Sequence, residues 1–122
     1  MKSQHKGFTR ILYAFKYSFD GLVATFKSEA AFRQDILLCA LAIVAQCFLT
    51  VPFYSRVIMI GSLFLIPLAE LVNTALETII DRIGPEKHPL SKKAKDIGSA
   101  IVMLIIVAVC VLWGALIWAA YK

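Results

Sequence analysis

Two long stretches of this chain are uninterrupted by charge. Residues 36–55 and 97–121 contain no Asp, Glu, Lys or Arg. Each reaches the roughly 20 apolar positions that a helix needs to cross a hydrocarbon core about 30 Å thick. Between them, residues 57–80 are long enough to cross as well, although Glu70 and Glu77 interrupt the later half. Residues 58–69 are strongly apolar, so the pattern predicts three membrane-spanning helices, over 34–51, 57–80 and 97–120. Trp113, Trp118 and Tyr121 suit an interfacial aromatic belt around the third.

The stretch 8–28 follows another rhythm. Phe8, Ile11, Leu12, Phe15, Phe19, Leu22, Val23 and Phe26 recur at spacings of three and four. At about 100° per residue they fall within an arc of roughly 120°. Arg10, Ala14, Tyr17 and Gly21 gather on the opposite side. This predicts a helix lying in the membrane interface, one face in lipid and the other free. A simple anchor accounts for the apolar stripe, but leaves Arg10 and Tyr17 without a task.

Composition agrees with a membrane protein of a single domain. Of 122 residues, 60% are hydrophobic, and the mean hydropathy is +0.77. A soluble domain of this size cannot bury so much apolar surface. The net charge of +5 could serve a nucleic acid, but basic aromatic patches and zinc-finger spacing are absent, and no nucleic-acid partner is expected. Cys39, Cys47 and Cys110 lie inside apolar segments with no C-x-x-C pair, and read as small packing residues. His5 and His88 lack the companions of a zinc site. The N-terminus lacks the continuous apolar run and cleavage site of a signal peptide.

Basic residues set the orientation. Lys2, Lys6, Arg10, Lys16, Lys27 and Arg33 precede the first span, and Arg82, Lys87, Lys92, Lys93 and Lys95 lie between the second and third. Only Arg56 and Lys122 fall on the other side. The excess of positive charge places the N-terminus and the loop over 81–95 in the cytoplasm, and the C-terminus outside.

The acids of the second span form a pattern of their own. Glu70, Asn73, Glu77 and Asp81 stand at i, i+3, i+7 and i+11, which projects them within about 80° of one another on a helix. Counted from Val57, Glu70 lies about 20 Å and Glu77 about 30 Å along the axis. Glu77 then reaches the cytoplasmic boundary, and Glu70 sits some two turns inside it. An unpaired carboxylate within a bilayer costs a few kcal/mol on insertion scales. Either Glu70 makes a helix–helix hydrogen bond while Glu77 and Asp81 are merely interfacial, or the stripe binds a cation and handles a proton. Two carboxylates and an amide on one face favour the second.

Glu29, at the end of the amphipathic helix, and Glu77 together offer oxygen ligands of the kind Mg²⁺ takes alongside phosphates. Lys95, Asp96 and Ser99 open the third span at the same depth; Lys95 is placed to neutralise phosphate oxygens, or serves only as a cytoplasmic-side cation. Soluble nucleotide-binding signatures are missing. The residues by themselves leave two classes open: a lipid-modifying enzyme, or a non-enzymatic cation-pathway or assembly subunit. Transporter sites usually lie near the midplane, so the shallow placement favours the enzyme.

In these same residues the chain resembles the bacterial integral-membrane diacylglycerol kinase family. The matching stretches are GFTRI at 7–11, EAAFRQ at 29–34, the E-x-x-N-x-x-x-E pattern at 70–77, DRIG at 81–84 and AKDIGSA at 94–100. They run in order through nearly the whole chain. The resemblance implies an all-α fold of one interfacial helix and three transmembrane helices, assembled as a homotrimer with shared active sites in the bacterial inner membrane. It also implies transfer of phosphate from ATP, with Mg²⁺, to the hydroxyl of diacylglycerol, giving phosphatidic acid.

By the same resemblance Glu70 is the general base and Asn73 part of its catalytic stripe, while Glu29 and Glu77 hold Mg²⁺. Arg10, Tyr17, Glu86, His88, Lys95 and Asp96 match nucleotide-contacting positions. Ser18, Phe32, Arg33, Gln34, Arg56, Ser99 and Trp113 match positions lining the lipid site, where Arg10 also belongs. Phe19 and Phe26 stand where relatives often have tryptophan. Pro67, one turn before Glu70, should free the Leu63 carbonyl and kink the second span. Pro85 and Pro89 give the loop a look shared with undecaprenol kinases of the same fold, whereas EAAFRQ and KDIGSA point back to the diacylglycerol type.

Overall fold

The computed structural model describes residues 6–122, so Lys2 and His5 lie outside the described residues. Among these the chain is all helical, in the order α1 (Gly7–Ser28), α2 (Ala30–Gln46), α3 (Phe53–Leu63), α4 (Leu65–Ile83) and α5 (Pro89–Tyr121). Phe53–Ile83, taken as one rod interrupted at Phe64, and Pro89–Tyr121 are long and apolar enough to cross a membrane. Large apolar side chains such as Leu104, Val107, Val111 and Trp118 stand exposed on α5. Lipid tails cover such a surface without penalty, so this is an all-α membrane protein.

α1 carries the apolar stripe of residues 8–26 and stops at Glu29, whose backbone is extended (φ −115°, ψ 110°). This single residue forms the whole elbow, because α2 begins at Ala30. Helix ends leave carbonyls without partners. Here Arg33 supplies them, donating through Nη1 to Phe26 O at 2.7 Å and Lys27 O at 3.1 Å. Its positive charge also suits the negative end of the α1 dipole.

α2 ends at Gln46, five residues short of the 34–51 span expected from the sequence. Its 17 residues make a rod about 25 Å long. Past Gln46 the chain tightens into three-residue turns at Cys47, Phe48 and Leu49, and Pro52, which lacks an N–H and disfavours helical backbone in the residue before it, keeps α2 from continuing into α3. Arg56 closes this end as Arg33 closes the first. Its Nη1 donates to Gln46 O at 2.6 Å and to Gln46 Oε1 at 3.0 Å, and its Nη2 to Leu49 O at 2.8 Å. Gln46 is 1% exposed. The Thr50 N–H donates to the Tyr121 hydroxyl at 2.8 Å, which ties the last turn of α5 to the same corner.

The second rod starts at Phe53 rather than Val57, directly after Pro52, and breaks at Phe64. There the Phe64 N–H reaches back three residues to Gly61 O at 3.3 Å. The break accommodates Pro67. Restarting the helix at Leu65 puts the proline in the first turn of α4, where a missing N–H removes no helical bond. The Leu63 carbonyl, which Pro67 cannot satisfy, lies 3.5 Å from the Cys39 thiol of α2.

α5 is longer than the expected span because it begins at Pro89, with the proline in its first position. His88 caps it: Nδ1 accepts from the Leu90 N–H at 3.1 Å. The loop expected over 81–95 therefore contracts to residues 84–88, and Lys92, Lys95 and Asp96 stand on a helix. The core joins α2, the α3–α4 rod and α5, through Leu63, Ile66 and Val109 packed with Cys39, Ala42, Ile105, Ile106 and Trp113.

Near its N-terminal end, α5 passes close to α4 at Gly98, which is buried. A Cβ on Gly98 would collide with the Asn73 side-chain oxygen and meet Leu76 Cδ1 at 3.5 Å. Asn73 is short, buried and hydrogen-bonded, so it has little room to yield. Gly98→Ala should therefore cost about 1–3 kcal/mol by overpacking. Thermal unfolding in detergent measures it: a lowered midpoint is expected, and an unchanged one would mean the two helices separate freely here.

Candidate active site

α4 displays the acidic stripe read from the sequence. Glu70 is 7% exposed and Asn73 8%, while Glu77 is half-buried and Asp81 exposed. The gradient follows the helix from its buried middle to its free end. Asn73 Nδ2 donates to Glu77 Oε1 at 3.3 Å, which fixes both side chains on one face. The other end of that amide, Oδ1, is buried without a hydrogen-bond partner, facing the backbone of α5 at Gly98. A buried acceptor left unsatisfied costs about 1–3 kcal/mol, so it stands out as a group awaiting a donor.

Other elements bring more acids to Glu70. Asp35 of α2 and Glu29 of the elbow come within electrostatic reach of it, alongside Glu77 of its own helix. Asp35 stands at the mouth of α2, and its Oδ2 is likewise buried without a partner. Sequence reasoning missed Asp35. It is an acid at the edge of an apolar run, and the insertion cost that drew attention to Glu70 applies to it too. What the sequence could not give is the packing of α2 on α4 that makes the two neighbours. Gly98 was also missed, although a glycine inside a helix signals a close approach of backbones.

Glu29 occupies the elbow and is half-buried. Among the described residues no three His, Cys, Asp or Glu side chains stand close enough to hold a metal unaided. The donor set still suits Mg²⁺, a hard cation that usually takes one or two carboxylates and completes its shell with phosphate and water. Glu29 and Glu77 are of that kind.

An open cavity of about 750 Å³ lies beyond the stripe, where α4 gives way to α5. It gathers Glu86, His88, Lys95 and Asp96, with Asp81, Lys87, Ser91 and Lys92 also in its lining. Its cations are not idle: Lys95 Nζ is 3.2 Å from Asp81 Oδ1, and Lys92 Nζ 2.6 Å from Asp96 Oδ2. Through Asp81, Lys95 is tied to the stripe itself. A polyanion entering the cavity would exchange carboxylate for phosphate partners on both lysines.

The remaining expected site residues lie elsewhere. Arg10, Tyr17 and Ser18 are exposed on α1, which packs mainly on α2. The Ser18 hydroxyl donates to Ala14 O at 2.9 Å, and Lys16 Nζ sits 6.0 Å from the Tyr17 ring centre. Gln34 and Ser99 are exposed. Phe32 is 2% exposed, a core residue of this chain. Arg33 and Arg56 cap helix ends as described, and Trp113 Nε1 donates into the α3 backbone.

Comparison with known proteins gives the kinship of the chain. The sequence profile of the prokaryotic diacylglycerol kinases matches residues 16–117. The diacylglycerol kinase of Escherichia coli K12 is 43% identical over 121 residues, 99% of each chain. That of Pseudomonas aeruginosa is 41% identical over 111 residues, 91% of this chain and 90% of the relative. That of Haemophilus influenzae is 40% identical over 112 residues, 92% and 95%. A buried acidic stripe under a lysine-bearing cavity, on membrane helices matched along almost their full length, leaves no doubt of kinship: the chain belongs to the prokaryotic diacylglycerol kinase family.

Proposed function

We propose that this protein is an ATP-dependent lipid kinase that phosphorylates diacylglycerol at the cytoplasmic face of the bacterial inner membrane, with Glu70 as general base. The observation that carries this is Glu70 itself, a carboxylate buried at 7% exposure beside Asn73 and below a cavity lined by lysines. A base at this depth meets a lipid hydroxyl where that hydroxyl resides. Phosphoryl transfer needs positioning and charge neutralisation more than covalent help from the protein.

In this reading the diacylglycerol hydroxyl gives its proton to Glu70 as its oxygen bonds to the γ-phosphorus. The bond from that phosphorus to the bridging oxygen of ADP breaks, and phosphatidic acid leaves. Asn73 keeps Glu77 in place through its 3.3 Å hydrogen bond. Glu29 and Glu77 would hold Mg²⁺, which when bound neutralises phosphate charge. Lys95, Asp96, Glu86 and His88 receive the nucleotide around the cavity.

α2 with its following turn, the rod α3–α4 and α5 serve as three spans, and α1 lies in the interface. The cytoplasmic side is the one bearing the N-terminus and the turn over 84–88, where the basic residues collect. Arg10 and Tyr17 stand exposed on α1, a placement that suits a homotrimer in which α1 of one subunit completes the nucleotide site of another. Ser18, Gln34 and Ser99 supply exposed polar groups for the lipid headgroup.

Glu70→Gln should reduce turnover by about 10²–10⁴-fold, the range general base catalysis supplies, while MgATP binding measured by calorimetry stays within a factor of two or so. Loss of folding instead would mean that Glu70 serves helix packing only. Purified protein in bilayers with labelled ATP and equal diacylglycerol and undecaprenol should label diacylglycerol. Labelling of undecaprenol alone would transfer the assignment to that lipid, and ATP-independent ion flux with no labelled lipid would overturn the kinase reading.

A further inference from the structure

Gly98 is a buried glycine inside α5, the longest helix of the chain. Glycine is a poorer helix residue than alanine, so its place there asks for a contact that alanine would break. Gly114 of the same helix has none, since a Cβ there would meet nothing within 4 Å. A Cβ on Gly98 would strike Asn73 Oδ1, with the amide carbon 3.2 Å away.

Chemistry fixes which way that amide is turned. As a metal ligand Glu77 is ionised and can only accept a hydrogen bond. The Asn73 NH2 therefore faces it, donating through Nδ2 to Glu77 Oε1 at 3.3 Å. Oδ1 is then turned to α5, where it is buried with no hydrogen-bond partner. Oδ1 and Nδ2 are two ends of one planar group. A methyl at position 98 that displaces the oxygen also swings the nitrogen away from Glu77.

We infer that Gly98 is a positioning residue: the lack of a side chain there keeps the Asn73 amide turned to Glu77, and so keeps the Glu77 carboxylate set to take Mg²⁺. This rests on Glu77 being a metal ligand. Gly98 touches neither metal nor substrate and acts through Asn73. A group that hydrogen-bonds a ligating carboxylate holds its orientation, and losing one typically costs about 10–100-fold in metal affinity.

The test reads metal binding rather than turnover. Full-length protein in detergent is titrated calorimetrically with AMP-PCP, a non-hydrolysable ATP analogue, once with Mg²⁺ and once with EDTA. The ratio of the two affinities is the gain due to the metal. Gly98→Ala should reduce that gain by about 10-fold and leave the affinity in EDTA within roughly twofold. Val109→Ala, which removes buried contacts elsewhere on α5, should lower the thermal midpoint and keep the gain. Asn73→Ala should lose the gain as Gly98→Ala does, and the double variant should lose no more than Asn73→Ala, because both act through one contact. If Gly98→Ala does not fold, the double variant should, since no amide then opposes the methyl. Its failure to fold would overturn the inference, because the methyl would obstruct something other than Asn73. A lowered midpoint with an intact gain in Gly98→Ala would overturn it too, as would loss of the gain in Val109→Ala or a further loss in the double variant. Glu77→Gln is measured alongside. If it keeps the full gain, the metal assignment fails; if it loses the gain while Gly98→Ala keeps it, only the role of Gly98 fails.

Discussion

The organisation of this small protein follows from one burial. Glu70 and Asn73 are held out of solvent, each with under a tenth of its surface exposed, on a helix that is otherwise suited to lipid. On insertion scales an acid at the centre of a membrane helix costs about 2.5–3.5 kcal/mol. The surrounding elements are arranged around that cost. α5 carries a glycine at position 98, the one side chain small enough to let its backbone close over Asn73. α2 presents Asp35 to the same place, and Asn73 binds Glu77 rather than remaining loose. The result is a preorganised polar pocket among apolar helices, with two buried oxygens, on Asp35 and Asn73, still lacking donors. A lipid hydroxyl and the groups around it are the kind of guest such oxygens fit.

Satisfying backbone at every turning point explains much of the rest. Three corners separate the four rods α1, α2, α3–α4 and α5, and a side chain caps a helix end at each: Arg33 on the end of α1, Arg56 on the end of α2, and His88 at the start of α5. In water a helix end can turn to solvent, but within a bilayer it cannot. Residues that resemblance alone assigns to a lipid site thus also hold the scaffold. For Arg33 and Arg56 the guanidinium fork serves two carbonyls at once, which lysine does not reproduce.

The parts of this arrangement visible in the sequence are those governed by local period. The apolar stripe of α1 and the Glu70–Asn73–Glu77 spacing need only 100° per residue to be read. The loss of a helical donor for the Leu63 carbonyl at Pro67 was legible as well, because a missing N–H is a local fact; the break at Phe64 follows from moving the proline into a first turn. Helix ends were less legible: α2 stops at Gln46 and α5 starts at Pro89 because of capping by residues that hydropathy does not weigh. Least legible were the pairings between helices. Nothing local says that Asp35 faces Glu70, that Gly98 lies on Asn73 or that Cys39 reaches the Leu63 carbonyl, since each depends on how separate rods pack.

Everything here turns on where the Glu70 carboxylate sits, and moving it without removing it is the most direct measurement. Glu70→Asp keeps the charge and withdraws the oxygens by one methylene. With MgATP and lipid saturating, kcat should fall by about 10²-fold, as misplacement of a reacting group by roughly 1 Å does, while MgATP affinity is unchanged. A kcat within about twofold of the native protein would show that the position of this carboxylate is immaterial, and that the buried stripe serves packing rather than proton transfer.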